Sequence, residues 1–113
     1  MLYPITPVPK PRQTRSDKWK KRPCVLRYRA FADEVRAANI TLNAHGERVR
    51  FYIPMPASWG KKKKQRMQLT PHQQKPDIDN LLKAFLDAVF TDDSHVYDIQ
   101  ATKLWDYEGA IDV

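Results

Sequence analysis

Asp77, Asp79 and the pair Asp92-Asp93 gather carboxylates into one short stretch of an otherwise strongly basic chain. Carboxylates repel phosphate, so a surface that binds a polyanion is ordinarily poor in them. The combination makes sense where a divalent cation sits between carboxylate and phosphate. Asp77 and Asp79 are two residues apart, a spacing that sends both side chains to the same side of extended backbone. Asp79 opens a predicted helix, where it is held as rigidly as a metal ligand should be. Asp93 follows 14 residues after Asp79, and it joins them only if the strand after it pairs beside the Asp77 segment. Three carboxylates with open positions for water and a phosphate oxygen suit Mg²⁺, which takes hard oxygen ligands at about 2.0–2.1 Å and keeps several waters. The chemistry is phosphodiester hydrolysis, in which one or two such ions make water more nucleophilic and neutralise charge building on the phosphate. Lys83, one turn beyond Asp79, would add positive charge at the scissile phosphate or the leaving oxygen.

Each of these residues has a plainer reading. An Asp at a helix start is usually a cap, and Asp-Asp before Ser is usually a turn. Lys83 is four residues from both Asp79 and Asp87, and spacing alone favours an ion pair worth a few tenths of a kcal/mol. A calcium-binding EF-hand is excluded, because Leu81 and Leu82 stand where an oxygen ligand and a glycine are needed. His45, His72 and His95 are too scattered to form a zinc cluster with Cys24. His95, beside the acidic turn, is expected to pack or lie on the surface. Three glycines provide no phosphate-binding loop, which excludes a nucleotide cofactor.

The elements that must position the acids follow from periodicity. Leu2-Tyr3-Pro4-Ile5 is a short β-like start that Pro4 confines to an edge or a strand end. Pro7 to Arg22 is rich in proline and basic residues and reads as a loop. Pro23 opens a helix whose apolar stripe is Cys24, Tyr28, Phe31, Val35 and Ala38, with Asn39 as its cap and Cys24 as a small core residue. Val49, Phe51, Ile53 and Met55 alternate with Arg48, Arg50, Tyr52 and Pro54, the pattern of a half-buried strand with a basic outer face. Residues 57–75 read as a long loop carrying Lys61, Lys62, Lys63, Lys64 and Arg66. A second helix is predicted from about Asp79 to Val89, with Leu81, Leu82, Phe85, Leu86 and Val89 on its apolar face and Asp79, Lys83 and Asp87 on a polar stripe. After a turn at Thr91–Ser94, His95–Trp105 reads as a strand with Tyr97, Ile99 and Ala101 on one face. A tight turn at Tyr107-Glu108-Gly109 leads into a last strand, Ala110–Val113. The expected fold is α+β: a small mixed or antiparallel sheet with two main helices in the order β-α-β-α-β-β.

At 113 residues, with 42% hydrophobic residues, the chain is expected to fold as a single domain, residues 1–113, around one modest core. The net charge of +7 favours an anionic partner. It is divided unevenly: residues 1–66 hold 17 Lys and Arg against 4 Asp and Glu (+13), and residues 67–113 hold 3 against 9 (−6). That split implies a basic binding surface beside a separate acidic site. A single cysteine excludes an intrachain disulfide and fits a reducing compartment. No secretory signal pattern and no apolar run of membrane-spanning length are present, so a cytoplasmic protein is expected, in a bacterium or a phage-infected host.

The stretch Lys75-Pro76-Asp77-Ile78-Asp79-Asn80-Leu81-Leu82-Lys83-Ala84-Phe85-Leu86-Asp87-Ala88, followed by Asp92-Asp93-Ser94-His95-Val96, resembles the RusA family of Holliday junction resolvases. The likeness extends over most of the chain and is greatest to the compact phage and prophage members. It implies a Mg²⁺-dependent centre, with Mn²⁺ as a substitute, in which Asp77, Asp79 and Asp93 are metal ligands and catalytic residues, joined by Lys83. Asp92 is left unassigned and Asp87 is given a structural part. Only Val89-Phe90-Thr91 separate the Asp-Ala pair from Asp92-Asp93, fewer than in many relatives, so the turn must be tight. The resemblance also implies a homodimer with two active sites, in keeping with the approximate two-fold symmetry of a four-way junction. Lys10, Arg12, Arg15, Lys18, Lys61, Lys62, Lys63, Lys64, Arg66 and Lys75 are the expected DNA-binding residues. Trp19 and Trp59 are candidates to wedge or stack near the branch point, Trp59 also to pack between subunits.

The expectation is therefore a structure-selective DNA endonuclease that resolves four-way junctions by paired nicks in recombination and repair. Two rivals stand beside it: a non-catalytic basic protein that holds branched DNA while its acids merely cap and turn, and a less selective metal-dependent nuclease.

Overall fold

A computed structural model describes residues 1–12 and 22–113. The elements in chain order are β1 (Leu2–Tyr3), α1 (Pro23–Ala37), β2 (Glu47–Pro54), α2 (Lys61–Met67), α3 (Ile78–Val89), β3 (Ile99–Asp106) and β4 (Ala110–Asp112). The four strands form one mixed sheet in the order β1-β4-β2-β3. The α+β class is as expected, with three helices in place of two. Among the described residues no helix is long and apolar enough to cross a membrane.

β2 and β3 run parallel, in register from Glu47↔Ile99 to Pro54↔Asp106. β4 lies antiparallel to β2 on the other side, with Phe51 opposite Ile111. β1 is the short edge strand, pairing Leu2 with Asp112 and Tyr3 with Ile111. Gly109 lets β4 turn in close beneath the N-terminal segment, since a Cβ there would lie 2.3 Å from Thr6 Oγ1 and 2.7 Å from its Cα. The strand expected over His95–Trp105 starts only at Ile99, and Tyr97 is 76% exposed rather than on the inner face. Residues 95–98 lie before the stretch paired with β2; the Tyr97 N–H instead reaches the carbonyl of Ala44, 3.0 Å away.

α1 and α3 pack against one another and cover the sheet. α1 starts at Pro23 as its fixed φ and missing N–H dictate. Asn39 adopts a left-handed φ of 53° one residue beyond the cap, Ala38. Its buried stripe is Val25, Phe31, Ala32 and Val35, rotated slightly from the expected one, so Cys24 is half-buried rather than a core residue. Leu81, Ala84, Phe85 and Ala88 are the buried face of α3, at the i, i+3, i+4, i+7 spacing of a core-facing helix. Val49 and Phe51 of β2 meet that face, and the rings of Phe51 and Phe85 lie edge to face at 6.0 Å.

The segment expected as a loop, Lys61–Arg66, is the body of helix α2, which buries none of its residues. Lys, Gln, Arg and Met are good helix formers, so propensity suffices where no apolar stripe exists. Trp59 ties the helix to the sheet: its ring lies 4.8 Å from that of Trp105, and the Lys63 ammonium sits 4.2 Å from its centroid. Beyond α2, Leu69 takes a left-handed φ of 61° and its N–H bonds to the Trp105 carbonyl at 2.7 Å. The return bond from Trp105 N–H to Thr70 and the bond from His72 N–H to Lys103 bring residues 69–72 alongside the outer edge of β3.

His72 is buried against Trp105, ring centroids 4.2 Å apart, and its Nδ1 finds no hydrogen-bond partner among the described residues. Burial, then the nearby Lys103 charge, hold its pKa below the ordinary 6.5. The unfolded chain therefore binds a proton near pH 6.5 that the folded chain refuses. Stability is at its full value above that pH and falls as the pH drops through 6.5 toward the lower folded value.

Phe85→Ala should destabilise the fold by about 3–5 kcal/mol, as removal of a fully buried ring does, measured by denaturant unfolding. His72→Phe, which keeps the ring against Trp105, should flatten the loss of stability between pH 7.5 and 5 that the parent shows in thermal melts; an unchanged pH dependence would assign that loss to other groups.

Candidate active site

Helix α3 presents the acids differently from the simplest expectation. The N-cap is Asp77, with φ −69° and ψ 147°, and Asp79 lies inside the first turn. Asp77 makes no side-chain capping bond, so its carboxylate is not consumed by the helix it begins. Capping by such a residue is ordinarily worth about 1 kcal/mol. Both carboxylates are exposed, and both lie at the positive end of the helix dipole. The peptide bond between Lys75 and Pro76, just before them, is cis.

The acidic turn separates its two members. The Asp92 carboxylate accepts the Ser94 N–H at 3.0 Å, and that bond is the first cause of its lowered pKa. Asp93 is less exposed than Asp92 and lies near enough to Lys10 to contribute to the raised pKa of that lysine. Thus Asp92 stabilises the turn, while Asp93 is half-buried and within electrostatic range of Lys10. His95 packs edge to face on Phe90, with centroids 4.9 Å apart.

Lys10 takes an unexpected part. Its ammonium pairs with Asp87, and its main-chain N–H donates to the Asn80 carbonyl at 3.2 Å. The Asp87 hydrogen bond is the largest cause of its raised pKa, with the charges of Asp87, Tyr28 and Asp93 adding and burial opposing. Lys10, one of the residues expected to bind DNA, fastens the proline-rich segment along α3 through Asp87. Lys83 forms neither of the i,i+4 ion pairs that its spacing favours; among the described residues its ammonium has no carboxylate partner.

The result is an open hollow of about 590 Å³ lined by Lys10, Pro11, Arg12, Asn80 and Lys83. It lies along the same helix as Asp79 and beside the end that carries Asp77. Arg12 accepts a hydrogen bond from Arg22 through its main-chain carbonyl at 2.5 Å. Lys75 is exposed just ahead of Asp77, and Lys61, Lys62, Lys63, Lys64 and Arg66 are carried by α2. Arg15, Lys18 and Trp19 lie outside the described residues. Trp59 is only part-exposed, its ring engaged with Trp105 and Lys63, so it supports α2 within the chain.

Among the described residues no three His, Cys, Asp or Glu side chains form a group that could hold a metal ion by themselves. The donor chemistry nonetheless fits Mg²⁺, which is usually held by one or two carboxylates together with waters and substrate phosphates rather than by a complete protein cage. Asp77 and Asp79 present hard oxygens at one helix end, on the same helix as the hollow lined by Lys10, Arg12 and Lys83.

The family described as endodeoxyribonuclease RusA matches residues 4–113. A curated relative, the uncharacterized protein YqaN of Bacillus subtilis (strain 168), is 37% identical over 73 residues, or 58% of this chain. The matched region spans about half, 51%, of that relative. With nearly its whole length matched, the chain belongs to the RusA endodeoxyribonuclease family.

Proposed function

We propose that the protein is a divalent-metal-dependent, structure-selective DNA endonuclease that resolves four-way junctions by paired nicks. It would act in recombination and repair in the cytoplasm of a bacterium or phage-infected host. Family membership supports the reaction class. The observation that carries it to particular residues is the pairing of two exposed, uncapped carboxylates with a cation-lined hollow on one helix.

Asp77 and Asp79 would hold Mg²⁺ or Mn²⁺, with Asp93 approaching from the acidic turn. When bound, such an ion neutralises charge on the phosphate and makes water more nucleophilic. In the hollow, Arg12 and Lys83 attract the phosphate, and the Lys83 ammonium, without a carboxylate partner among the described residues, stabilises charge on the leaving oxygen. Asn80 adds a neutral donor. Lys10, committed to Asp87, keeps the proline-rich segment against α3 so that Arg12 stays beside Lys83.

A homodimer fits the substrate, because paired nicks on opposite strands of a two-fold junction call for two related active sites. α2 presents Lys61, Lys62, Lys64 and Arg66 without burying any of them, an arrangement suited to the phosphates of a duplex arm. The main rival is a binder without catalysis, favoured by the lack of a three-carboxylate group among the described residues.

A gel assay on four-way, three-way and linear DNA, with Mg²⁺ or with EDTA, separates the readings. Metal-dependent cutting confined to the four-way junction is expected. Binding without cutting in Mg²⁺ or Mn²⁺ would leave only the binder, and equal cutting of linear duplex would leave an unselective nuclease. Asp79→Asn should slow cleavage on the order of a hundredfold or more, the scale of losing one transition-state-stabilising group, while junction binding persists. Replacing Lys61, Lys62, Lys64 and Arg66 by Gln should lower the slope of log K against log salt by roughly 0.9 for each phosphate that these side chains neutralise. An unchanged slope would make α2 a solvated face.

A further inference from the structure

Lys103 is one of the few cations in the acidic half of the chain, and its ammonium is committed to backbone. From β3 it donates to the carbonyl oxygens of Gln74 at 2.6 Å and Pro76 at 2.8 Å. Its own main-chain carbonyl accepts the His72 N–H at 3.1 Å. One residue of a sheet strand thus grips residues 72–76 with both side chain and main chain.

The gripped stretch delivers Asp77. The Pro76 oxygen belongs to the planar peptide unit whose nitrogen is that of Asp77. Holding that oxygen restrains the plane from which the Asp77 Cα departs, and with it the point from which the carboxylate leaves the helix end. On the preceding side, Gln73, Gln74 and Lys75 are exposed and lie outside any helix or strand; on the following side, the Asp77 carbonyl accepts the Leu81 N–H at 3.2 Å. An ammonium suits the task, since it offers three donors and its hydrogen bonds are charge-assisted. Among the described residues no carboxylate pairs with it.

We propose that Lys103 is a positioning residue: its ammonium orients the Pro76–Asp77 peptide and thereby holds the Asp77 carboxylate where it would ligate the divalent ion. This rests on the reading of Asp77 as a ligand in a nuclease site. Lys103 itself touches neither phosphate nor metal in this scheme.

The full-length protein and its Lys103→Met, Lys103→Gln and Lys103→Arg variants are compared in four measurements. These are thermal unfolding, four-way-junction binding in EDTA, single-turnover cleavage in Mg²⁺ at saturating protein, and backbone amide NMR signals of Asp77 to Asn80. Lys103→Met should bind the junction as the parent does, shift the amide signals of Asp77 and its neighbours, and cut about tenfold or more slowly, as small misplacements of a catalytic group do. Lys103→Arg, which can still donate to both carbonyls, should recover much of the rate. If Lys103→Met fails to fold, Lys103→Gln, shorter and uncharged, carries the same comparison. Parental cleavage by the neutral variants would overturn the proposal. So would weaker junction binding at an unchanged single-turnover rate, which would make Lys103 a DNA contact. If the parent itself does not cut junctions, the nuclease reading fails on its own; unchanged amide signals at Asp77 to Asn80 would separately overturn the clamp.

Discussion

β2 and β3 run side by side in the same direction for eight residues each, and that pairing constrains everything between them. Parallel neighbours cannot be joined by a hairpin; the chain must leave one end of the sheet and return to the other. Here the crossing contains α2, the strip 69–76 and α3. The strip therefore passes the outer edge of β3, where Leu69, Thr70 and His72 bond to it. α3 then starts beside that edge and runs back over the sheet. Asp77 sits at the corner, where the crossing turns from strip to helix.

The two helices have different roles in this crossing. α3 is held by its apolar face, with Leu81, Ala84, Phe85 and Ala88 buried, and so its polar stripe has a fixed direction. α2 buries nothing and is located by its neighbours, Trp59 against Trp105 and Lys63 over Trp59. A helix without an apolar face has no core to join, so its side chains remain available to an outside partner. The end of α3 shows a related compromise. An aspartate at the N-cap that leaves its capping bond unmade forgoes stability that the same residue could supply, a pattern typical of functional positions.

The division of charge along the sequence becomes a juxtaposition in space. The basic N-terminal segment is laid on the acidic helix through Lys10 and Asp87, and through Lys10 N–H and the Asn80 carbonyl. One cation is used for attachment, and Arg12 and Lys83 then line the same hollow. At the acidic turn, Asp92 is used for local structure while Asp93 is half-buried.

Much of this was legible in residue order, because short-range physics writes itself into periodicity. Pro23 marked the start of α1, the alternation around Val49 and Phe51 marked β2, and Leu81 to Val89 marked α3. α2 was missed because hydrophobic spacing was the guide, and Lys61 to Met67 has none; the run of good helix formers was the usable signal. The ion pairing expected of Lys83 and the unforeseen pairing of Lys10 share one cause. Spacing identifies local candidates, whereas Asp87 chose a partner 77 positions away. By itself the sequence determined the helices with apolar faces, the acid-rich motif and the charge imbalance, all properties of neighbouring residues. Only tertiary structure decided the parallel pairing, the hollow beside Lys83 and the hold of Lys103 on the approach to Asp77, because those depend on which distant segments the buried core brings together.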